Sequence, residues 1–159
     1  MIIHLATDHA GFDHKEAIYT WLKEEGFTVV DHGATKYDEQ DDFPDFVAKA
    51  AEAVNANPAE DIAIIFGGSG QGEAMMANSY PEVRAAVYYG ANRDIPKLSR
   101  EHNDSNMLSI GARFVELDET KQVIWDWLHT ESLKDEKYSR RNQKMSTITK
   151  SINLCDTCQ

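Results

Sequence analysis

The chain has 159 residues, 42% of them hydrophobic, which is enough for one core of ordinary single-domain size. A formal charge of −11 and an isoelectric point near 4.9 argue against a nucleic-acid or anionic-membrane surface, because both need a dominant basic field. No run of about 18 apolar residues occurs and Met1-Ile2-Ile3-His4 carries no basic-then-apolar leader, so neither a membrane span nor a signal peptide is expected, and the expected location is the cytoplasm.

Apolar, β-rich runs recur at 2–6, 28–30, 62–66, 84–88 and 107–110, with helical patterns between them. The first helix is expected over about 12–25, with Ile18, Trp21 and Leu22 on one face and Gly26 as its stop. A second should begin near Pro44, with Phe43, Val47, Ala51 and Val54 inward. A third runs through Met75, Met76 and Ala77, its methionines read as core filler. A fourth ends near Glu101, and a fifth carries Val123, Ile124, Trp127 and Leu128. This alternation predicts a doubly wound, Rossmann-like α/β domain of three layers around a five-stranded parallel sheet. The stretch 134–150 holds Lys134, Lys137, Arg140, Arg141, Lys144 and Lys150 against Asp135 and Glu136, and by itself reads as a solvated helix face. The domain is expected to span 1–152. Residues 153–159, with the C-x-x-C of Cys155 and Cys158, read as a mobile tail rather than a redox or zinc site.

In open α/β sheets ligands bind beyond the carboxyl ends of the strands, so the residues after each strand carry the functional prediction. The most informative is Ile64-Ile65-Phe66-Gly67-Gly68-Ser69-Gly70-Gln71-Gly72-Glu73, an apolar strand that breaks into glycines and delivers a carboxylate. Glycines there let backbone N–H groups converge on a ligand oxygen, and a proton-abstracting enzyme needs that pairing of amides with a base. An ordinary βα turn, with Glu73 merely favourable in a first helical turn, fits the same residues. Asp8 could equally be a helix cap, Arg113 a surface ion-pair former, and His9 or His102 a structural histidine. The loop is not the G-x-x-x-x-G-K-[ST] cradle, and no acidic residue stands clearly about 20 positions on to hold a ribose, so a nucleotide cofactor is not expected.

Thr7-Asp8-His9-Ala10-Gly11-Phe12, Asp42-Phe43-Pro44, Gly67 to Glu73, Ala77-Asn78, Arg84-Ala85-Ala86, Arg100-Glu101-His102-Asn103-Asp104 and Gly111-Ala112-Arg113, in that order, resemble the type B ribose-5-phosphate isomerase family, which includes allose- and galactose-6-phosphate isomerases. The resemblance implies a metal-free, cofactor-free aldose–ketose interconversion through a cis-enediolate, at a site shared by two subunits of a homodimer. The C-terminal helix would extend to the partner, and pairing of dimers into tetramers is left open. Many members use a cysteine base at the position of Gly67; a second group, similar to this chain, has a glutamate at Glu73. Ser69 and the backbone of Gly68, Gly70, Gln71 and Gly72 would hold the enediolate, while His102 assists ring opening with Asn103 beside it. Asp8 and His9 would grip the sugar or approach the phosphate, with Arg113, Lys137 and Arg141 as the phosphate clamp. Here the chain departs from the family, whose Arg-His-x-x-Arg reads Lys137-Tyr138-Ser139-Arg140-Arg141. The interval from Arg84 to His102 is also about two residues longer than usual. Ribose 5-phosphate and ribulose 5-phosphate are the expected pair. A four-carbon or six-carbon sugar phosphate is the alternative, as is a silent sugar-phosphate-binding protein, against which Glu73, His102 and Asp8 all stand.

Overall fold

In the computed structural model, the backbone is described for residues 1–155 and the side chains for residues 1–152. The elements in order are β1 (Ile3–Thr7), a 3-10 turn (His9–Gly11), α1 (Phe12–Glu24), β2 (Val29–Asp31), α2 (Pro44–Ala56), β3 (Ile62–Gly67), α3 (Gln71–Ala77), β4 (Ala85–Tyr88), α4 (Asp94–Asn103), β5 (Met107–Gly111), α5 (Leu117–Leu128) and α6 (Glu136–Cys155). The tail expected over 153–159, with Cys155 and Cys158, lies outside the described side chains.

The five strands form one parallel sheet in the order β2-β1-β3-β5-β4. A central strand covered on both faces has no polar side to present, which is why β3 reads as an unbroken apolar run and is buried throughout. On one face Ile3, Leu5, Ile64, Phe66, Leu108 and Ile110 meet Ile18 and Leu22 of α1 and Val123, Ile124 and Trp127 of α5. On the other, Ala6, Ala63, Ile65 and Met107 meet Val47, Ala50, Ala51 and Val54 of α2 and Ala77 of α3. Each large side chain so buried contributes about 1.5–3 kcal/mol over its exposed state. No described helix is long and apolar enough to cross a membrane.

The expected inward methionines need one correction. Met76 packs against the second core cluster, but Met75 is 72% exposed. In a helix of seven residues the inward positions are Glu73, Ala74 and Ala77, and the 100° step from Ala74 swings Met75 to the outside. Just beyond that helix, the Asn78 amide accepts from Ala85 N–H at 2.8 Å and donates to Ala85 O at 3.1 Å. One side chain thus stands in for a neighbouring strand along the open edge of β4.

From β1 the chain crosses to β2 on one side, and from β3 it builds the sheet on the other. The crevice between the carboxyl ends of β1 and β3 is therefore the switch point of the fold.

Candidate active site

At the end of β1, the Thr7 hydroxyl lies 3.0 Å from Phe66 O and 2.8 Å from Asp8 O, tying the first turn to β3. Asp8 is a cap in fact, since its Oδ1 accepts from Ala10 N–H at 3.0 Å, yet its carboxylate also faces the crevice chemistry: Oδ2 is 4.0 Å from His9 Nδ1. His9 is held from the loop after β2. Asp41 Oδ1 accepts from the His9 backbone N–H at 2.9 Å and from Nδ1 at 2.8 Å. That hydrogen bond, reinforced by the charges of Asp8 and Asp41, raises the imidazole above its ordinary pKa of 6.5, while Arg113 pulls the other way.

At the end of β3, Gly70 takes φ = +77°, a left-handed turn that suits glycine, and its carbonyl accepts from the Ser109 hydroxyl at 2.7 Å. Ser69 Oγ accepts from Gln71 N–H at 3.4 Å, at the start of α3. Among the described residues, the N–H groups of Gly68, Ser69 and Gly70 have no acceptor. Gly72 and Glu73 follow inside the helix. The turn after β5 closes over this loop. Ala112 N–H donates to Gly67 O at 2.9 Å and Arg113 N–H to Gly68 O at 3.2 Å. The Arg113 guanidinium lies over Gly68, where an added Cβ would sit 3.4 Å from its atoms.

Glu73 is 5% exposed. Burial raises its pKa, Asp8 adds to the rise, and its own backbone N–H opposes it. The carboxylate occupies the space beside Gly67 that a side chain at that position would need. A desolvated carboxylate beside a loop with three free amides, with Arg113 on the turn after the adjacent strand β5, is suited to remove a carbon-bound proton while the amides take up charge on the neighbouring oxygen.

The remaining residues expected at the site lie elsewhere. α4 ends at Asn103 and feeds β5 at Met107, so His102 and Asn103 sit at the amino edge of the sheet, the length of β5 away from Glu73, roughly 16 Å for five residues. Around His102 stands the start of α6. Tyr138 stacks on its ring at 4.4 Å between centroids and 13° between planes, and Asn142 Nδ2 donates to His102 O at 3.3 Å. Lys137 Nζ lies 4.5 Å from the Tyr138 ring, and Arg141, on the same helix, is exposed. One chain therefore holds two groups: Asp8, His9, Gly68, Ser69, Gly70, Gln71, Gly72, Glu73 and Arg113 at the carboxyl edge, and His102, Asn103, Lys137 and Arg141 at the amino edge.

Asp41 is the residue that sequence reasoning passed over. It stands beside the Asp42-Phe43-Pro44 motif, but it is Asp41 that reaches His9 while Asp42 is exposed. The only local signal was an acidic doublet just ahead of a helix that starts with proline.

A family model described as Ribose/Galactose Isomerase matches residues 3–145. The ribose-5-phosphate isomerase B of Mycolicibacterium paratuberculosis is 35% identical over 141 residues, covering 89% of this chain and 87% of that protein. Among solved structures, the ribose-5-phosphate isomerase B of Mycoplasma genitalium with bound ribulose-5-phosphate superposes with a TM-score of 0.88 at 33% identity, over 94% of this chain and 96% of that one. That of Clostridium thermocellum gives 0.87 at 36% identity, over 96% and 99%.

Proposed function

The chain belongs to the ribose/galactose isomerase family, and from that premise we propose that it interconverts ribose 5-phosphate and ribulose 5-phosphate at a site completed by a second copy of itself. The observation that carries this reading is Glu73, a buried carboxylate with a raised pKa, nested against Gly67 beside free loop amides at the switch point of the sheet. In the open-chain aldose, Glu73 takes the proton from C2. The electron pair moves onto the carbonyl oxygen, giving a cis-enediolate whose charge the N–H groups of Gly68, Ser69 and Gly70 receive. Each such donor is typically worth about 3 kcal/mol of barrier in comparable oxyanion sites. Glu73 returns its proton to C1, and the hydroxyl proton passes from O2 to O1. Hydrogen moves only within the substrate, so the reaction balances with no external oxidant or reductant.

The furanose must first open, because C2 is acidic only next to a free carbonyl. We assign that acid–base step to His102 with Asn103 beside it, and since Glu73 of the same chain is a sheet's length away, the histidine comes from the neighbouring copy. Arg113 and His9 would bind the phosphate from one chain and Lys137 and Arg141 from the other. Lys137 brings a point charge in place of a guanidinium fork, and Tyr138 serves as a stacking platform for His102 rather than as a further cation. The site so described needs two chains, a homodimer at least, in the aqueous compartment where phosphorylated sugars are found.

The test is steady-state isomerisation of four-, five- and six-carbon aldose and ketose phosphates by the wild type and Glu73→Gln. Turnover of the five-carbon pair, with kcat falling about 100-fold or more in the variant and KM little changed, is the expected result. Preference for another chain length would replace the substrate and leave the base assignment intact.

A further inference from the structure

Asp41 holds His9 with one carboxylate oxygen and leaves the other unused. Its side chain is 11% exposed, Oδ1 accepts from both His9 N–H groups, and Oδ2 is buried with no partner among the described residues. An unpartnered carboxylate oxygen out of water is costly, and the cost is offset only where the negative charge has work to do. Engaging Nδ1 also fixes the ring. His9 Nε2 has no partner among the described residues, and the side chain is 26% exposed, so Nε2 is the atom left for a ligand.

Arg113 supplies the reason for a charge there. Two adjacent cations repel, and Arg113 opposes protonation of His9. We propose that Asp41 is a positioning residue: it orients His9 through Nδ1 and sets a carboxylate against the imidazole beside Arg113, so that Nε2 and the guanidinium together receive the substrate's phosphate. The inference rests on the reading of the site given above. The charged and titratable groups facing His9 are Asp8 on its own turn, Asp41 and Tyr37 on the loop after β2, and Arg113 on the turn after β5. Removing Asp41 leaves Asp8, 4.0 Å away, as the one carboxylate against Arg113.

The experiment compares wild type, Asp41→Asn and Asp41→Glu by NMR titration of His9, by binding of inorganic phosphate, and by kinetics with ribulose 5-phosphate at pH 6 and pH 8. In Asp41→Asn the His9 midpoint should fall. Phosphate binding and KM should weaken about tenfold at pH 8 and little at pH 6, with kcat within about twofold, as expected for losing one charge-assisted bond. Asp41→Glu should restore part of the loss. An unchanged His9 midpoint, an equal loss at both pH values, or a fall in kcat at constant KM would overturn the role. If the wild type fails to turn over the pentose phosphate yet phosphate binding shows the pH-dependent loss, the positioning role stands and the substrate assignment falls.

Discussion

Glu73 fills the place of a side chain at Gly67: a Cβ built there would overlap Oε1 and Cδ of the carboxylate and stand 2.5 Å from Oε2. The two positions are mutually exclusive for bulk. That space can be filled by a side chain at the end of β3 or by a carboxylate reaching it from the first turn of α3, but not by both, and in this chain it is filled from α3. Gly67→Ala should push the carboxylate out of register, lowering kcat about 100-fold or more while circular dichroism and Tm report an intact fold. Gly67→Cys should displace the carboxylate in the same way, so that any turnover it keeps depends on the new thiol rather than on Glu73 and is lost on thiol alkylation. Wild-type kcat in Gly67→Ala would show that Glu73 needs no such nesting.

The burial that raises the Glu73 pKa also lowers the stability of the fold. Its folded pKa lies above its ordinary value of 4.5, so the contribution to stability is fully present below that pH and is lost as pH rises through the folded pKa. Between the two pKa values the native state keeps a proton that the unfolded chain releases, and above both it holds a desolvated charge, so in either range the carboxyl group lowers stability. Glu73→Gln should therefore raise Tm at pH 7 to 8 while abolishing turnover, and the gain should vanish below about pH 4.5, where wild type is protonated in both states. In wild type, kcat/KM should fall on the acid side through the same raised pKa. A Tm of Glu73→Gln equal to or below that of wild type at pH 7 would count against burial as the cause.

The legible and illegible parts of this molecule divide by range. Strands such as Ile62-Ala63-Ile64-Ile65-Phe66 announce themselves because burial on both faces demands an unbroken apolar run, and Glu73 because glycines isolate it. Met75 misled because seven residues are too few for the helical period to separate faces. The pairing of Asp41 with His9 spans 32 residues and leaves no periodic trace. The separation of His102 from Glu73 follows from connectivity rather than local pattern, since a helix that precedes a strand ends at that strand's amino edge.

A pair of histidines, His4 buried and His32 half-buried, predicts acid sensitivity. His4 on β1 is 6% exposed, its Nδ1 is 2.9 Å from His32 Nε2, and its Nε2 lies 3.7 Å from Asp61 Oδ2. Desolvation lowers both histidines from 6.5, and for His32 the neighbouring His4 and Lys49 add to the fall while Asp31 opposes it. With folded pKa values below the unfolded one, their contribution is present above pH 6.5 and is lost as pH falls through the folded values. Thermal unfolding should weaken from pH 7 to pH 5, and His4→Gln, which keeps size and hydrogen bonding without titrating, should flatten that slope. An equal slope in the variant would assign the acid sensitivity to other groups.

The two halves of the site permit a test that no single variant offers. If Glu73 acts with His102 of a neighbouring copy, Glu73→Gln and His102→Asn each disable every site in their own homodimer. In a mixed dimer, however, one site carries both lesions and the other carries none. Random reassortment of equal amounts makes half the dimers mixed, each with one of two sites intact, so about a quarter of wild-type activity should return. The recovery should appear only after subunits exchange, for example on refolding together, and should rise toward the quarter with time. Were His102 to act on Glu73 of its own chain, mixing would restore nothing, because every copy would still carry a lesion within its own site. Size-exclusion chromatography with light scattering on the same samples supplies the control: the variants must remain oligomeric, since His102 packs on Tyr138 and Asn142 at the start of α6 and its loss could loosen that helix.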